Sequence, residues 1–323
     1  MREEDTRGKG GDSSSVPVET VLLKANPLAE KIKADVSSRV LRIKKEKQIT
    51  PRLIALLIGR DPVSRVYVRL KQSDCAEVGI DSKVIDLSGI ATDEIVESVL
   101  KTIERLNSDP SVHGIIPQMP FDGQVSEEQV FEALNPEKDV DGLTPYRLGK
   151  LMRKEYSLES SLLPCTPKGI VSLLLYYGVE VEGADALIIG RSSLVSEPLR
   201  KMLQDLNATA TCVHTRTKGI HEKIRNADIV VAASGRPPEI YGSSGIRVVG
   251  DMVKEGSTVV SVGVRQDPQT GKMLFDVDTN SLMGRCSFLT PNIGGVGPMT
   301  RLTLLQNTII AAELQLGVSS VSA

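Results

Sequence analysis

A tyrosine and a lysine stand four residues apart in the segment SRVYVRLKQSD, at Tyr67 and Lys71. On a helix this spacing places both side chains on one face, one turn apart. A lysine in a partly dry cleft can have its pKa lowered to about 7–8, where it exchanges protons with a bound molecule. Taken alone, Tyr67 beside the apolar stripe Val63, Val66 and Leu70 would more often belong to the core. Other elements must decide whether the pair forms a site.

Two further polar residues stand where functional side chains are often found. Gln118 ends the apolar segment VHGIIPQ, and α/β proteins collect functional groups at the carboxyl ends of strands. Asp141 is the second aspartate of KDVDG. Each also has a simpler interpretation, since Gln118 could merely end a strand and Asp141 before Gly142 is an ordinary turn pair. Their meaning depends on the order of motifs along the whole chain.

The segment IIGRSSLVSEP has the composition of a phosphate-binding turn between a strand and a helix. Gly190 lets the backbone approach a phosphate, and Ser192 and Ser193 can donate hydrogen bonds to it. Pro198 suits the first turn of the following helix. The segment lacks the full Gly-x-Gly-x-x-Gly pattern, so it indicates a nucleotide site only together with a Rossmann-like order of elements.

The strand after this turn ends in His214, Thr215 and Arg216. A site that prefers NAD places an aspartate or glutamate about 20 residues beyond the glycines, where it accepts hydrogen bonds from the ribose. This segment offers a hydroxyl and a guanidinium instead, and with Arg191 in the preceding turn it suits a 2′-phosphate. The sequence therefore favours NADP over NAD. The alternative is that both arginines cap helices or pair on the surface.

Apolar runs and helical patterns alternate along the chain in two series. The first predicts strands at 52–59, 82–87 and 112–118 and helices at 62–78 and 92–107. The second predicts helices at about 167–177 and 195–206, strands at 186–190, 210–214, 228–233 and 257–264, and a last helix at about 298–316. This alternation predicts an α/β fold of two domains with mostly parallel sheets, the second domain being Rossmann-like.

Composition excludes several classes of protein. The 323 residues suffice for two domains of about 150 residues each. With 39 lysines and arginines against 41 acids, the net charge of −2 gives no basis for binding nucleic acid or an anionic membrane. The four cysteines form no Cys-x-x-Cys pair, so we expect neither a zinc site nor a disulfide framework, and a cytoplasmic location fits best. No apolar stretch reaches the ~20 residues of a membrane span.

Six motifs stand in a definite order, namely YVRLK, GIIPQMP, KDVDGL, PCTPKGI, GRSSLV and GGVGPMT. With these motifs the chain resembles the methylenetetrahydrofolate dehydrogenase/cyclohydrolase family from about residue 20 to residue 316. The resemblance implies an enzyme of one-carbon metabolism that oxidises 5,10-methylenetetrahydrofolate to the methenyl cation with NADP. It also implies hydrolysis of that cation to 10-formyltetrahydrofolate, and it implies no metal.

The resemblance also implies roles for individual residues. Lys71 matches the family's catalytic lysine, and Gln118 matches the glutamine that hydrogen-bonds and tunes it. Tyr67 would pack along the aromatic middle of the folate, and Asp141 would hold the amino-pyrimidine edge of the pterin. Further substrate contacts are implied for Gly294 and Pro298. The implied cofactor contacts are Thr166, Gly190, Arg191, Ser192, Thr215, Arg216, Gly295, Gly297 and Thr300.

The expected domains follow from the same resemblance. In the family the last helix packs back on the first domain, which implies a catalytic, folate-binding domain of residues 17–164 plus 298–323 and an NADP-binding domain of residues 165–297. It also implies a homodimer formed through the nucleotide domains. Residues 1–16 are polar and have no apolar core, so we expect them to be a disordered tail.

The chain departs from the family pattern at three places. Asn292 and Ile293 follow Pro291 where the family has Val and Pro, so one rigid proline is lost. In the nucleotide turn, Ser196 replaces a glycine and is followed by Glu197, an acid near the expected phosphates. The segment TPYRLGKL replaces a His-Pro-x-Asn stretch, so the rim of the pterin pocket is expected to differ. The first two departures bear on cofactor affinity more than on the type of reaction.

Three alternatives remain open at this point. A short-chain dehydrogenase also uses Tyr-x-x-x-Lys, but its glycine fingerprint precedes that pair, whereas here the order is reversed. A monofunctional dehydrogenase without hydrolysis would have little use for the paired Lys71 and Gln118. A non-catalytic folate- or nucleotide-binding regulator is suggested only by Ser196 and Glu197.

Overall fold

The computed structural model describes residues 18–121 and 123–318, so the tail expected over residues 1–16 lies outside the described residues. The helices are α1 (Asn26–Lys47), α2 (Pro62–Val78), α3 (Ile95–Ser108), α4 (Glu127–Ala133), α5 (Pro145–Met152), α6 (Cys165–Tyr176), α7 (Ser196–Asp205), α8 (Ile220–Asn226), α9 (Pro238–Tyr241), α10 (Thr279–Leu282) and α11 (Val296–Leu316). In this part of the chain, no helix is long and apolar enough to cross a membrane. The strands are β1 (Val21–Leu22), β2 (Arg52–Leu57), β3 (Asp81–Asp86), β4 (Gly114–Gln118), β5 (Asp185–Ile189), β6 (Thr209–Val213), β7 (Ile229–Ala232), β8 (Thr258–Ser261), β9 (Val264–Gln266), β10 (Met273–Phe275) and β11 (Phe288–Leu289).

The first sheet is parallel, with β2 between β3 and β4. Its central strand is the apolar run RLIALL, and successive side chains point to opposite faces of the sheet. Ile54 and Leu56 pack in one cluster with Val99 and Ile103 of α3. The other face belongs to a larger cluster that also contains side chains of α1, α2, α6 and α11. Because helices cover both faces, the strand is apolar throughout rather than alternating.

The second sheet is parallel with the strand order β1-β11-β8-β7-β5-β6, and a separate antiparallel hairpin joins β9 and β10. Its middle strands β5, β7 and β8 are short and almost every side chain in them is buried, including the polar Thr258 and Ser261 of β8. At one edge β1 pairs with β11, so the beginning of the described chain completes the sheet of the second domain. A strand of two residues is too short to show a periodic pattern, and the sequence does not predict it.

Helix α11 returns from the second domain to the first, as the resemblance implies. It packs against α1, α2 and α6 and against strands β2 and β4. Near its end Glu313, which is buried, accepts hydrogen bonds from Arg39 Nη2 (2.5 Å) and Arg42 Nη2 (2.6 Å) of α1. The expected α/β fold of two domains with parallel sheets and a returning last helix is therefore confirmed.

The structure differs from the predicted elements in detail. Segment 257–264, predicted as one strand, forms the two strands β8 and β9. Val262 and Gly263 separate them, and a Cβ added to Gly263 would lie 1.9 Å from Asp276 Oδ2 and 2.7 Å from Gly235 N, so only glycine fits. Helices α1, α4 and α5 and the hairpin are not predicted either. For α1 a signal was present, since its buried residues include Ile32, Val36 and Val40 at helical spacing.

Candidate active site

Lys71 and Gln118 meet at the carboxyl end of β4. Lys71 Nζ on α2 donates a hydrogen bond to Gln118 Oε1 at 2.8 Å. Gln118 Nε2 donates to the carbonyl of Met119 at 2.8 Å, which orients the amide so that its oxygen faces the amine. Two residues that are 47 positions apart in sequence therefore form one polar pair.

The beginning of α2 explains how this pair is positioned. Asp61 caps the helix by accepting hydrogen bonds from Val63 N and Ser64 N, both at 3.2 Å, and Pro62 occupies the first turn. Ser64 is buried and its hydroxyl donates to the carbonyl of Met119 at 3.1 Å. The first turn of α2 is thus tied to the end of β4. Two turns later along the same face, the helix delivers Lys71 to Gln118.

The two aspartates of KDVDG have different tasks. Asp139 is fully buried, and its carboxylate accepts hydrogen bonds from Gly142 N (2.8 Å) and Thr144 N (2.7 Å), while burial raises its pKa to about 6. Gly142 has φ 72°, and an added Cβ would lie 2.4 Å from the Leu163 carbonyl carbon. Asp139 therefore builds the turn. Asp141 is half-buried and places its charge beside Lys71.

The surroundings of Lys71 disfavour its charged form. Burial has the largest effect and lowers the pKa of Lys71 below its ordinary value. The charge of Asp141 opposes this shift, and the charge of Arg301 adds to it. Burial raises the pKa of the nearby thiols of Cys165 and Cys75, so both are neutral near neutral pH. An amine whose pKa is lowered can take and return a proton near neutral pH.

Tyr67 lies one helical turn before Lys71. Its side chain is 37% exposed, so it is not the core residue that its apolar neighbours in sequence suggest. Val66 and Leu70 on the same helix are also exposed, at 53% and 41%. This part of α2 presents an apolar surface to solvent, where the ring of a substrate could pack.

The glycine-rich segment before α11 lies where the two domains meet. Thr300 Oγ1 and Thr166 Oγ1 are 3.0 Å apart, which joins the first turns of α11 and α6. Gly294 has φ 87°, and its carbonyl accepts a hydrogen bond from Ala25 N at 2.8 Å. Gly295 is buried, and an added Cβ would lie 2.7 Å from the Pro291 carbonyl oxygen. Gly297 is exposed and Pro298 is half-buried within α11, which begins at Val296.

A cavity of about 560 Å³ opens at the carboxyl ends of β5, β6 and β7. Gly190, Arg191, Ser192 and Thr215 line it, whereas Arg216 does not. Gly190 cannot be replaced without strain, since an added Cβ would lie 2.5 Å from Ser196 Oγ and 2.8 Å from the Ala233 carbonyl oxygen. The residues found to line the cavity include no carboxylate. Glycine, hydroxyls and arginine around such a space suit a nucleotide phosphate.

Sequence reasoning missed a third group of residues on this cavity. Ser234 and Arg236, in the loop after β7, line it together with residues of segment 243–247. The loop is held by buried Asp276, whose Oδ2 accepts hydrogen bonds from Ser234 N (2.7 Å), Ser234 Oγ (2.8 Å) and Gly235 N (2.8 Å). The segment SGRPP directly after a buried strand was the signal that could have found them.

The departures from the family pattern lie mostly outside the cavity lining. Ser196 is buried behind Gly190, and Glu197 pairs with Arg200 Nε at 2.8 Å within α7. Neither residue is among those that line the cavity. Asn292 Oδ1 accepts a hydrogen bond from Ser261 Oγ at 2.7 Å, which fixes this loop where the usual proline is absent. Glu197 therefore does not face the cavity, and it gives no reason to expect weak binding of a phosphate there.

The rest of the first departure and the segment TPYRLGKL contribute exposed side chains. Ile293 beside Asn292 is 83% exposed. At the expected rim of the pterin pocket, Thr144 caps α5 by accepting a hydrogen bond from Arg147 N at 3.4 Å. Tyr146 in the first turn of that helix is 53% exposed. The replaced segment therefore forms a capped helix with an aromatic side chain facing solvent.

Together, fold and site define a class of protein in which a Rossmann-like nucleotide domain is joined to an α/β domain that carries a partly buried lysine with a lowered pKa. Within residues 18–121 and 123–318, no group of three His, Cys, Asp or Glu side chains is arranged to hold a metal ion. The family model described as "Tetrahydrofolate dehydrogenase/cyclohydrolase, NAD(P)-binding domain" matches residues 164–316. Its companion, described as the catalytic domain of the same family, matches residues 23–141. The chain belongs to this tetrahydrofolate dehydrogenase/cyclohydrolase family.

Individual relatives agree with this assignment. The bifunctional protein FolD of Pyrobaculum calidifontis is 44% identical over 294 residues, which cover 90% of this chain and 95% of that protein. The crystal structure of the bifunctional enzyme FolD from Campylobacter jejuni superposes with a TM-score of 0.81 at 37% identity, covering 91% of this chain and 99% of the other. The FolD structure of Trypanosoma brucei, complexed with NADP cofactor and inhibitor, superposes with a TM-score of 0.82 at 29% identity, covering 92% and 99%.

Proposed function

We propose that the protein is a bifunctional methylenetetrahydrofolate dehydrogenase and methenyltetrahydrofolate cyclohydrolase. The observation that carries the proposal is the hydrogen bond from Lys71 Nζ to Gln118 Oε1, beside Asp141, in a chain of this family. Oxidation of 5,10-methylenetetrahydrofolate transfers a hydride from the methylene carbon and leaves the methenyl cation. Hydrolysis of that cation then gives 10-formyltetrahydrofolate.

The residues of the first domain bind and orient the folate. Tyr67 offers an exposed ring for the aromatic middle of the substrate, and Asp141 offers a carboxylate for the amino-pyrimidine edge. Gly294 and Pro298, in the segment where the domains meet, would border the bound folate. When bound, the nicotinamide cofactor supplies the hydride acceptor. The protein contributes mainly orientation to this step.

Lys71 handles the proton of the hydrolytic step. Water adds to the methenyl carbon, a C–O bond forms, and the water proton passes to the neutral amine of Lys71. The bond between this carbon and N5 then breaks while N5 takes the proton back from the ammonium. The remaining hydroxyl proton is released to solvent, which leaves the formyl group on N10. Gln118 holds the amine in place through its 2.8 Å hydrogen bond.

The cavity of the second domain fits a dinucleotide phosphate, and we propose NADP as the preferred cofactor. Gly190 and Ser192 would approach the pyrophosphate, and Arg191 and Thr215 would hold the 2′-phosphate. Arg216, which lies outside the lining, would contribute only if its exposed side chain turned toward the cofactor. The proposed contacts from the joint between the domains are Thr166, Gly295, Gly297 and Thr300.

The remaining proposals concern the organisation of the protein. We propose a catalytic domain of residues 17–164 plus 298–323 and an NADP-binding domain of residues 165–297, which is supported by the packing of α11 on the first domain. We also propose a homodimer formed through the nucleotide domains and a cytoplasmic location. The four cysteines are free in the structure, which supports a reducing compartment.

The proposal is tested with purified protein, methylenetetrahydrofolate and either NADP or NAD. NADPH formation followed by loss of the methenyl absorbance supports both activities. NADPH formation with methenyl decay no faster than in buffer would identify a monofunctional dehydrogenase, and ligand binding without turnover would identify a regulator.

The role of Lys71 has its own test. Lys71→Met should abolish hydrolysis of methenyltetrahydrofolate while NADP binding persists, because the proton acceptor is lost and the nucleotide cavity is untouched. Lys101→Met, at an exposed position on α3, is the matched control and should hydrolyse at the original rate. If Lys71→Met also retains the original rate, the role assigned to Lys71 is wrong.

A further inference from the structure

An ion pair crosses between two helices next to the proposed proton acceptor. Arg301 Nε of α11 donates to Asp74 Oδ2 of α2 at 2.6 Å, and their side chains are only 22% and 15% exposed. Asp74 follows Lys71 by three residues, so both project from the same face of α2. Arg301 directly follows Thr300 at the joint between the domains. The pair therefore brings one positive and one negative charge to the neighbourhood of Lys71.

The groups that face Lys71 come from every element packed around it. Gln118 of β4 accepts its hydrogen bond. Asp141 favours its protonated form, whereas Arg301 of α11 disfavours it. Cys165 of α6 and Cys75 of α2 also face the amine, but burial raises the pKa of both thiols and leaves them neutral near neutral pH. Among these groups Arg301 is the one with a positive charge, and Asp74 balances it.

A partly buried ion pair is weak evidence for a role in stability, because the cost of removing two charges from water offsets most of their attraction. The helices α2 and α11 also pack through other contacts. What an apolar pair at this position could not supply is an electrostatic field at the amine, and such fields act strongly where water is excluded.

We propose that Arg301 and Asp74 are positioning residues that set the protonation state of Lys71 for the hydrolytic step. The inference rests on the proposed function of Lys71 as proton acceptor. Neither residue needs to touch the substrate, since both act through the amine.

The charges of Arg301 and Asp74 are expected to shift the pKa of Lys71 in opposite directions, so the proposal can be tested with single variants. Arg301→Met removes the positive charge and leaves Asp74, so the pKa of Lys71 should rise and less neutral amine should be present at neutral pH. Asp74→Asn removes the negative charge and should lower the pKa. In the double variant Arg301→Met with Asp74→Asn, the pKa of Lys71 should return toward its value in the original protein. In Arg301→Lys, which keeps the positive charge, the pKa of Lys71 should stay close to that value.

The direct measurement is an NMR titration of the lysine Cε methylene signals, in which the Lys71 signal is assigned by its loss in Lys71→Met. The expected result is opposite displacement of the Lys71 titration in the two single variants. If the Lys71 titration moves in the same direction in both variants, or does not move in either, the proposal is overturned. Lys33→Met is the matched control, because it breaks another ion pair of α2, the one with Glu77 (2.6 Å), away from the site, and it should leave the Lys71 titration unchanged.

The hydrolysis of methenyltetrahydrofolate is then followed as a function of pH in the same variants. On the acid side of the pH profile, the rate rises with pH as Lys71 loses its proton. This rise should move to higher pH in Arg301→Met, where the rate at a given pH on the rise should be about threefold lower, and to lower pH in Asp74→Asn. A uniform loss of rate at every pH would indicate a merely structural role and would overturn the proposal. Opposite NMR displacements combined with unshifted rates would contradict the proton-transfer function of Lys71 instead, so the two failures are distinguishable.

Discussion

Replacing Asn307 by leucine should destabilise the protein severely. Asn307 is fully buried in α11, where its Nδ2 donates to the carbonyls of Val140 (2.9 Å) and Leu163 (2.8 Å) and its Oδ1 accepts from Lys168 Nζ (3.1 Å). Asn307→Leu keeps the number and branching of the side-chain heavy atoms but removes the hydrogen bond to the Leu163 carbonyl. The Val140 carbonyl retains the hydrogen bond from Cys165 Sγ at 3.3 Å. The substitution also leaves buried Lys168 with only the Ser161 carbonyl at 3.3 Å. At about 1–3 kcal/mol for each of these two groups, the Leu163 carbonyl and the Lys168 amine, the expected loss is roughly 2–6 kcal/mol.

The loss is measured as the free energy of unfolding in urea, followed by circular dichroism. Asn226→Leu, at an exposed position at the end of α8, is the control and should change stability by less than about 0.5 kcal/mol. The double variant Lys168→Met with Asn307→Leu should lose less than the sum of the single variants, because the stranded amine is removed. A loss below about 1 kcal/mol for Asn307→Leu would refute the reasoning that these hydrogen bonds hold the turn beside Asp141.

Three further predictions follow from the same contacts. Burial lowers the pKa of Lys168 to about 8, so the unfolded chain binds more protons between that pH and about 10.4. The free energy of unfolding should therefore rise with pH across this window, and it should rise less steeply in Lys168→Met. Gly190→Ala forces a Cβ to within 2.5 Å of Ser196 Oγ and should weaken NADP binding at least about tenfold, as measured by calorimetry. Arg191→Ala should weaken NADP more than NAD, and equal losses for both cofactors would remove the argument for a 2′-phosphate contact.

Local patterns were sufficient for the elements that carry the lysine and its partner. The apolar run of β4 ends at Gln118, and helix α2 begins at Asp61 and Pro62 with an ordinary cap, so both could be read from neighbouring residues. Their meeting depends only on the rule that a helix following β2 packs beside the carboxyl end of the sheet. The resemblance to the family implied the same contact between Lys71 and Gln118.

Contacts between distant segments could not be read in this way. Arg301 and Asp74 are 227 residues apart, and their pairing exists only because α11 returns to the first domain. The position of Arg236 depends on Asp276, which comes 40 residues later and holds the loop in place. The cofactor contact of Arg216 stays a prediction, since its exposed side chain is not among the residues that line the cavity. Periodicity describes single elements, whereas these contacts depend on how elements are assembled.

The joint between the domains also bears on how the two active regions cooperate. Helices α6 and α11 approach so closely that a Cβ added to Gly169 would lie 3.1 Å from the backbone of Met299. The buried side chains around this contact, such as Ile170 and Leu302, belong to one core cluster that includes strands of both sheets. Motion between domains is the usual expectation unless their interface is large and hydrophobic. Here the interface is continuous with both cores and mostly apolar, with Lys168–Asn307 and Thr166–Thr300 as polar contacts across it. The distance between the lysine cleft and the nucleotide cavity is therefore determined by packing, so alignment of folate and nicotinamide should depend on residues such as Gly169 that touch neither ligand.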